Sequence, residues 1–164
     1  MSAKKLILSC FGIGFIPFAP GTFASLLMLL IFLAAHYFYP ISVIDGLVVV
    51  FMMIVSSVLC LLFAGEAEKQ HDAKDPGWIV IDEVAGQAVA LLPAAVTSGK
   101  VLVSAIAAFV LFRLFDILKP PPIREIQQLD GGLGVLIDDL VAGIMAGTVL
   151  CIITFLITWA QLRN

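Results

Sequence analysis

The chain has 164 residues, of which 62% are hydrophobic and 13% are charged, and its mean hydropathy is +1.13. Soluble domains carry about 25% charged residues, so this composition excludes an ordinary soluble enzyme and predicts an integral membrane protein. The formal net charge of −3 offers no basic surface for nucleic acid. Several membrane spans would use up the whole length, so we expect a single membrane-embedded domain over residues 1–164.

The N-terminal stretch is apolar but broken, which is unsuitable for one straight span. We therefore predict a short or re-entrant segment over residues 6–19. Two lysines precede it, as in a signal peptide, but no cleavage site follows, so we expect the segment to be retained. The interrupting residues are Gly12, Gly14, Pro17 and Pro20.

Five apolar stretches follow and predict membrane helices. The last, Leu140–Ala160, has no charge in 21 residues, which at 1.5 Å per residue is enough to cross a hydrocarbon core of about 30 Å. Thr22 is the expected N-cap of the first span, and three prolines after Lys119 end the fourth. The expected fold is an all-α polytopic membrane helix bundle with spans at about 22–38, 42–64, 79–96, 101–118 and 138–160.

Lysine and arginine residues are distributed unevenly between the two sides of this bundle. A cytoplasmic N-terminus would place seven of them inside and only Lys100 and Arg163 outside, which is the distribution that the positive-inside rule favours. The seven are Lys4, Lys5, Lys69, Lys74, Arg113, Lys119 and Arg124. The same topology brings the acidic residues of several spans to the cytoplasmic face.

Those acidic residues predict a metal site. They lie at the starts of spans three and five, with one more near the end of span four and another, Asp130, in the preceding loop. A charge at the bilayer centre costs at least about 2.5 kcal/mol, and a divalent cation would hold several carboxylates together. Oxygen ligands suit Mg²⁺ or Mn²⁺, so we expect Mg²⁺ to be bound by Asp82, Glu83, Asp138 and Asp139.

The adjacent carboxylates Asp138 and Asp139 have a simpler interpretation. Asp is a good N-cap, and a negative charge suits the positive end of the helix dipole. One Asp would be enough for that purpose, whereas here two are preceded by a third. Both interpretations place the start of the last span near a membrane surface.

Positive residues near the same face predict an anion site. Arg113, Asp116 and Lys119 follow one another at intervals of three on span four. Arg113 lies deeper than Lys119 and favours a bidentate anion, either a neighbouring carboxylate or a substrate phosphate. Lys119 is equally consistent with a cation that complements the helix C-terminus. Backbone N–H groups at Gly21 and Thr22 are a second candidate for phosphate binding, with a plain helix start as the alternative.

Small residues and the few histidines and cysteines have structural interpretations. Asp139, Gly143 and Gly147 recur every four residues, as do Asp82, Gly86 and Ala90, the spacing that lets membrane helices approach closely. We expect His36 to be packed or interfacial and His71 to be solvated. Cys10, Cys60 and Cys151 lack metal-type spacing, so we interpret them as buried apolar residues without redox chemistry.

Taken together, four blocks of the sequence resemble the phosphatidylglycerophosphatase A family, bacterial integral membrane lipid phosphatases that need Mg²⁺. The blocks cover residues 12–22, 81–86, 112–124 and 131–143. The resemblance implies hydrolysis of phosphatidylglycerol phosphate to phosphatidylglycerol and inorganic phosphate, the last step of phosphatidylglycerol synthesis. It implies a multi-pass protein of the bacterial cytoplasmic (inner) membrane with its active site on the cytoplasmic side and a phospholipid as substrate.

Site roles follow from the resemblance and the residue chemistry together. We assign the chemical step to carboxylates and the binding of the dianionic phosphate to cations and backbone N–H groups. The catalytic candidates are Asp82, Glu83, Asp116, Asp138 and Asp139, and the phosphate-binding candidates are Arg113, Lys119, Arg124, Gly21 and Thr22.

Other functions fit the sequence less well. No cysteine is followed by Arg at the spacing of a Cys-x₅-Arg phosphatase loop, which leaves metal-assisted attack by water or an aspartyl-phosphate route. A phosphatidyl-group transferase would carry an Asp-Gly-x₂-Ala-Arg pattern, which is absent. A small carboxylate-lined transporter or ion-conducting protein is the alternative from another class, but it predicts acidic residues at both faces or in mid-span.

Overall fold

The computed structural model describes residues 2–71, 76–97, 100–121, 123 and 132–163, with residues 70 and 71 described by their backbone alone. Across these ranges every regular element is helical, which confirms the predicted all-α fold. Besides a 3-10 turn at Ile13–Phe15, the elements are α1 (Ala3–Leu8), α2 (Pro20–Phe38), α3 (Ser42–His71), α4 (Ile81–Val96), α5 (Val101–Leu118) and α6 (Gly132–Arg163).

The N-terminal segment is broken, as its glycines and prolines predict. Helix α1 has six residues, and the chain then passes through positive φ angles at Cys10, Phe11 and Gly12 before the 3-10 turn. Helix α2 begins at Pro20 with Ala19 as its N-cap, two residues before the predicted start at Thr22. Proline suits the first helical position because the N–H that it lacks would have no intrahelical partner there.

Within the described ranges, four helices are long and apolar enough to cross a membrane: Pro20–Phe38, the Ser42–Lys69 part of α3, Val101–Leu118 and Gly132–Arg163. The predicted third span corresponds to α4, which has 16 residues and is therefore about 24 Å long. That is shorter than a hydrocarbon core of about 30 Å. Helix α4 lies inside the bundle, in contact with α2, α3, α5 and α6.

Helices α4 and α6 cross at two glycines. A Cβ atom added to Gly143 would overlap the carbonyl group of Gly86, and one added to Gly86 would lie 2.5 Å from the carbonyl oxygen of Asp139. The helix backbones therefore touch, as the four-residue spacing of small residues predicts. This crossing fixes the start of α4 against the start of α6.

Several contacts bring the polar ends of the helices together. Lys4 pairs with Glu66 at 2.5 Å, which joins α1 to the end of α3. Lys119, just after α5, lies 2.6 Å from Asp138 near the start of α6. We call this end of the bundle, which includes the starts of α2, α4 and α6, the site end. The predicted convergence is confirmed for these residues, whereas Arg124 and Asp130 lie outside the described residues.

Candidate active site

Three carboxylates from two helices form the centre of the site end. Asp82 and Glu83 lie in the first turn of α4, and Asp139 lies in the second turn of α6. One oxygen from each comes within 4.8 Å of the others. Asp82 and Asp139 are only 5% and 3% exposed, so bulk water does little to separate their charges.

This group has the chemistry of a divalent-cation site. All its donors are carboxylate oxygens, which Mg²⁺ and Mn²⁺ prefer. Oδ1 of Asp82 is buried without a hydrogen-bond partner in the described part of the chain, and a buried oxygen in that state costs free energy unless something binds it. Asp82, Glu83 and Asp139 therefore fit a bound Mg²⁺.

Asp138 has a different surrounding from Asp139. Its Oδ2 accepts a hydrogen bond of 2.6 Å from Nζ of Lys119, and it is not part of the three-carboxylate group. Consecutive residues on an α-helix lie about 100° apart around its axis, which is why the pair divides between two partners. The predicted role of Asp138 as a metal ligand stays a prediction, and its observed partner is an ammonium group.

Lys119 owes its position to the end of α5. It is the C-cap, in the left-handed region at φ 43°, and its N–H donates to the carbonyl of Phe115. Burial lowers the pKa of Lys119, but the hydrogen bond and charge of Asp138, with the charges of Asp116 and Asp139, outweigh burial and raise the pKa above its ordinary 10.5. The amine is therefore a permanent cation at neutral pH.

Arg113 is held by two neighbours on the inner side of α5. Its guanidinium lies 2.7 Å from Asp116 and donates at 3.4 Å to Oγ of Ser25 on α2, while its Nε is buried without a hydrogen-bond partner among the described residues. The Asp116 carboxyl also lies within hydrogen-bonding range of Asp139. Asp116 therefore connects the guanidinium to the three-carboxylate group, and the predicted stripe on α5 faces the site.

The first turn of α2 faces Glu83. The Glu83 carboxylate occupies the space that a side chain at Gly21 would need, and a negative charge is stabilised at a helix N-terminus. At Gly21 the structure thus shows a glutamate where we expected phosphate. Phosphate binding by Gly21 and Thr22 stays a prediction, as does the role of Arg124, which lies outside the described residues.

Sequence reasoning missed three buried polar residues. Ser25 is fully buried and donates to the carbonyl of Gly21 at 2.9 Å, so it links that turn to Arg113. Gln87 is fully buried one helical turn after Glu83, and neither atom of its amide has a hydrogen-bond partner in the described ranges. Asp45 lies at the other end of the bundle. In each case a single polar residue in an apolar helix was the available signal.

At the opposite end of the bundle, the described residues include a hydrogen-bonded pair of a partly buried histidine and a buried aspartate. Nδ1 of His36, near the end of α2, lies 2.8 Å from Oδ2 of Asp45, and the Asp45 side chain is 1% exposed. His36 is thus packed, as expected. Fifteen residues of α2 separate it from Gly21, or about 22 Å along the helix, so this pair cannot take part in the site.

The cysteines add no redox chemistry. Cys10 and Cys60 are buried, whereas Cys151 is exposed on the surface of α6, so its predicted burial was wrong. Burial, with the nearby charge of Glu83, raises the pKa of the Cys10 thiol to about 12. Cys10 is therefore a neutral packing residue beneath the site.

Comparison with known proteins places the whole arrangement in one family. The family model described as phosphatidylglycerophosphatase A matches residues 6–154. A Bacteroides thetaiotaomicron protein named as a candidate phosphatidylinositol-3-phosphatase is 36% identical over 139 residues, which is 85% of this chain and 86% of that protein. No solved structure gives a significant match.

Two further relatives carry the family name itself. Phosphatidylglycerophosphatase A of Escherichia coli is 33% identical over 85% of this chain and 77% of its own length. Its counterpart in Haemophilus influenzae is 34% identical over 83% of this chain and 79% of its own length. The match spans the residues that build the carboxylate group, its two cations and the helices that hold them, and the chain belongs to the phosphatidylglycerophosphatase A family of phosphatases.

Proposed function

We propose that this protein hydrolyses the phosphomonoester of phosphatidylglycerol phosphate, releasing phosphatidylglycerol and inorganic phosphate, with Mg²⁺ as its cofactor. The observation that carries the proposal is the group formed by Asp82, Glu83 and Asp139, whose oxygens lie within 4.8 Å of one another, with Lys119 and Arg113 held beside it. Family membership favours this phosphatase activity over the transporter alternative.

The chain's own residues divide into two kinds. Asp82, Glu83 and Asp139 would hold the metal, and Mg²⁺ bound there would neutralise the phosphomonoester and activate a water. Lys119 and Arg113 are hydrogen-bond donors for the phosphate oxygens. These hydrogen bonds strengthen as the phosphoryl group gains charge in the transition state. Asp138 and Asp116 orient these two cations through contacts of 2.6 and 2.7 Å. Mutual orientation of this kind reduces the cost of bringing the reacting groups together.

A second substrate is favoured by one relative. The Bacteroides protein carries a phosphatidylinositol-3-phosphatase name, and its proposed substrate also joins a phosphomonoester to a lipid phosphodiester. The carboxylates and cations described here would contact only the phosphomonoester of the substrate. The headgroup between the two phosphates, glycerol or inositol, must be distinguished elsewhere in the protein.

The test is phosphate release by purified protein in detergent, with three substrates under matched conditions: phosphatidylglycerol phosphate, phosphatidylinositol 3-phosphate and phosphatidic acid. We expect the highest kcat/KM on phosphatidylglycerol phosphate, loss of turnover in a chelator, and recovery on adding Mg²⁺. Full turnover in chelator would contradict the metal assignment. A higher kcat/KM on phosphatidylinositol 3-phosphate would make that lipid, and not phosphatidylglycerol phosphate, the proposed substrate.

We also propose that the site end faces the cytoplasm, as the distribution of lysine and arginine residues favours. Single cysteines introduced at positions 74 and 100, in a chain without its native cysteines, should react with a membrane-impermeant maleimide from opposite sides of sealed vesicles. Position 74 should react from the cytoplasmic side. Reaction of both from the same side would contradict this topology.

A further inference from the structure

A second group of positively charged side chains lies beside the N-terminal segment, apart from the carboxylates. A cavity of about 430 Å³ opens there, and its lining combines two lysines with aromatic and aliphatic side chains. The lining includes Lys4, Lys5, Leu8, Phe63, Glu66 and Trp78. Nothing in the proposed hydrolysis uses these residues.

The two lysines differ in their partners. Lys4 pairs with Glu66 at 2.5 Å, with both side chains about half exposed. The amine of Lys5 instead lies 5.5 Å from the ring centre of Phe15 and 5.1 Å from that of Trp78, and no carboxylate in the described ranges pairs with it. Two aromatic faces hold an ammonium group by cation–π attraction but leave its N–H donors available. Lys5 is therefore prepared for an anion from outside the chain.

The same segment is built to lie in a membrane interface. Phe11 and Phe18 are each 80% exposed, and aromatic rings on the surface of membrane proteins are favoured at the membrane–water interface. Phe11 has a φ of 59° and follows Cys10 at 47°, a backbone that costs free energy and turns Phe11 outward while Cys10 is buried. A segment that lies in the interface would bring Lys5 close to lipid headgroups.

The cavity is also close to the active site in the fold. Gly14, in the 3-10 turn, packs directly on the carbonyl of Trp78, and Cys10 lies 3.7 Å from the carbonyl oxygen of Val80. Trp78 and Val80 lead straight into Asp82. The N-terminal segment thus covers the entry to α4 from the membrane side.

We propose that this cavity binds the phosphodiester of an anionic phospholipid headgroup, with Lys5 as the cation that pairs with it. The apolar part of the lining, Leu8 and Phe63, suits the glycerol backbone and the first methylenes, which a soluble anion lacks. The site takes phospholipids whether or not they carry a phosphomonoester. It therefore concentrates lipid of the right charge beside the active site.

Trp78 provides a direct reporter of binding. The chain has two tryptophans, and Trp159→Phe leaves Trp78 alone, next to Lys5. In neutral detergent, titration of short-chain phosphatidylglycerol into this variant should produce a saturable change in Trp78 fluorescence. Lys5→Gln should weaken the apparent affinity about tenfold, the effect of losing one charge-assisted contact, and Lys5→Arg should restore most of it.

Matched controls separate this site from its neighbours. Lys100→Gln, at the start of α5, and Lys119→Gln, in the active site, should both bind phosphatidylglycerol as the parent variant does. Short-chain phosphatidylcholine, inorganic phosphate and glycerol 3-phosphate should bind at least tenfold more weakly, which assigns the site to an anionic lipid rather than a free anion.

Three outcomes would overturn the proposal: unchanged binding in Lys5→Gln, equal binding of phosphatidylcholine, or loss of the signal only in Lys119→Gln. The last outcome would mean that the lipid had been detected in the active site. Because phosphatidylglycerol has no phosphomonoester, the result is independent of whether the proposed hydrolysis is correct.

Discussion

Both ends of this helix bundle bury acidic residues, but the two ends balance their charge differently. At the opposite end, Asp45 has one imidazole partner, His36, at 2.8 Å. At the site end, the described residues bring five carboxylates together with two cations, Arg113 and Lys119. A carboxylate matched by one partner within the chain stabilises the fold, whereas the excess of carboxylates at the site end is what the proposed Mg²⁺ would neutralise.

The largest expected effect tests that contrast with the same substitution at both ends. Asp139→Asn removes a carboxylate from the three-carboxylate group, so we expect kcat to fall on the order of a thousandfold, or the Mg²⁺ requirement to rise strongly. Asp82→Asn should behave alike. Asp45→Asn, the matched control, should keep its kcat.

Kinetics of the purified variants over an Mg²⁺ titration would measure both effects. Normal turnover with a normal Mg²⁺ requirement in Asp139→Asn would contradict the assignment of Asp139 to the metal site. Loss of kcat in Asp45→Asn, with the protein still folded, would remove the distinction between the two ends.

The next largest effect concerns the two cations at the site end. Lys119→Ala and Arg113→Lys each remove a charge-assisted hydrogen bond to the phosphate, which costs about 2–4 kcal/mol. We therefore expect kcat/KM to fall about 30- to 1000-fold, with a higher KM, while the Mg²⁺ requirement stays near that of the parent. A strongly increased Mg²⁺ requirement in either variant would instead link that cation to the carboxylate group.

A smaller loss of activity is expected when alanine replaces Gly21 at the site end. In Gly21→Ala the new Cβ would overlap the Glu83 carboxylate, whose flexible end can move away from the other carboxylates. Displacement of about 1 Å reduces rates by up to about 100-fold, so we expect a 10- to 100-fold loss, as orders of magnitude, with little change in melting temperature.

Gly46→Ala is the matched control at the opposite end, because nothing lies within 4 Å of the Cβ that it would add. Its phosphate release should equal that of the parent protein, and its thermal stability should equal or exceed the parent's, because a helix interior favours Ala over Gly. Equal activity of the two alanine variants would show that the contact between Gly21 and Glu83 does not position the carboxylate.

The smallest effect on activity is expected from His36→Ala, whose effect is on stability. The substitution leaves Asp45 buried without its partner, which costs about 1–3 kcal/mol. A lower melting temperature in detergent with unchanged kcat is the expected outcome. An unchanged melting temperature would show that the ion pair contributes nothing to stability.

Much of this fold could be predicted because apolar runs and helix-ending residues are local signals. The prolines after Lys119 end α5 at Leu118, and the broken N-terminal segment follows from its own glycines and prolines. Hydropathy cannot distinguish a helix buried in protein from one that faces lipid, so it did not reveal that other helices enclose α4. Its length of 16 residues was the available clue.

The sequence predicted the membrane depth of the site residues, but not which way each side chain faces. Residues at the starts and ends of spans lie at similar depths in the membrane, so the sequence predicted that Asp82, Glu83 and Asp139 lie at the same membrane face. Which of two adjacent aspartates faces the group depends on the rotation of α6 about its axis, and packing with α4 decides that rotation. Ser25 and Asp45 were missed because their partners, Arg113 and His36, lie on other helices.

Enclosure of α4 by other helices also determines how the enzyme responds to its lipid surroundings. A bilayer that thickens or thins acts on the helices it touches, and those helices adjust by tilting. Helix α4 carries Asp82 and Glu83 but has mostly protein neighbours, and its glycine contact with α6 moves the third carboxylate along with it. Turnover should therefore vary little with acyl-chain length, even where the surrounding helices change their tilt.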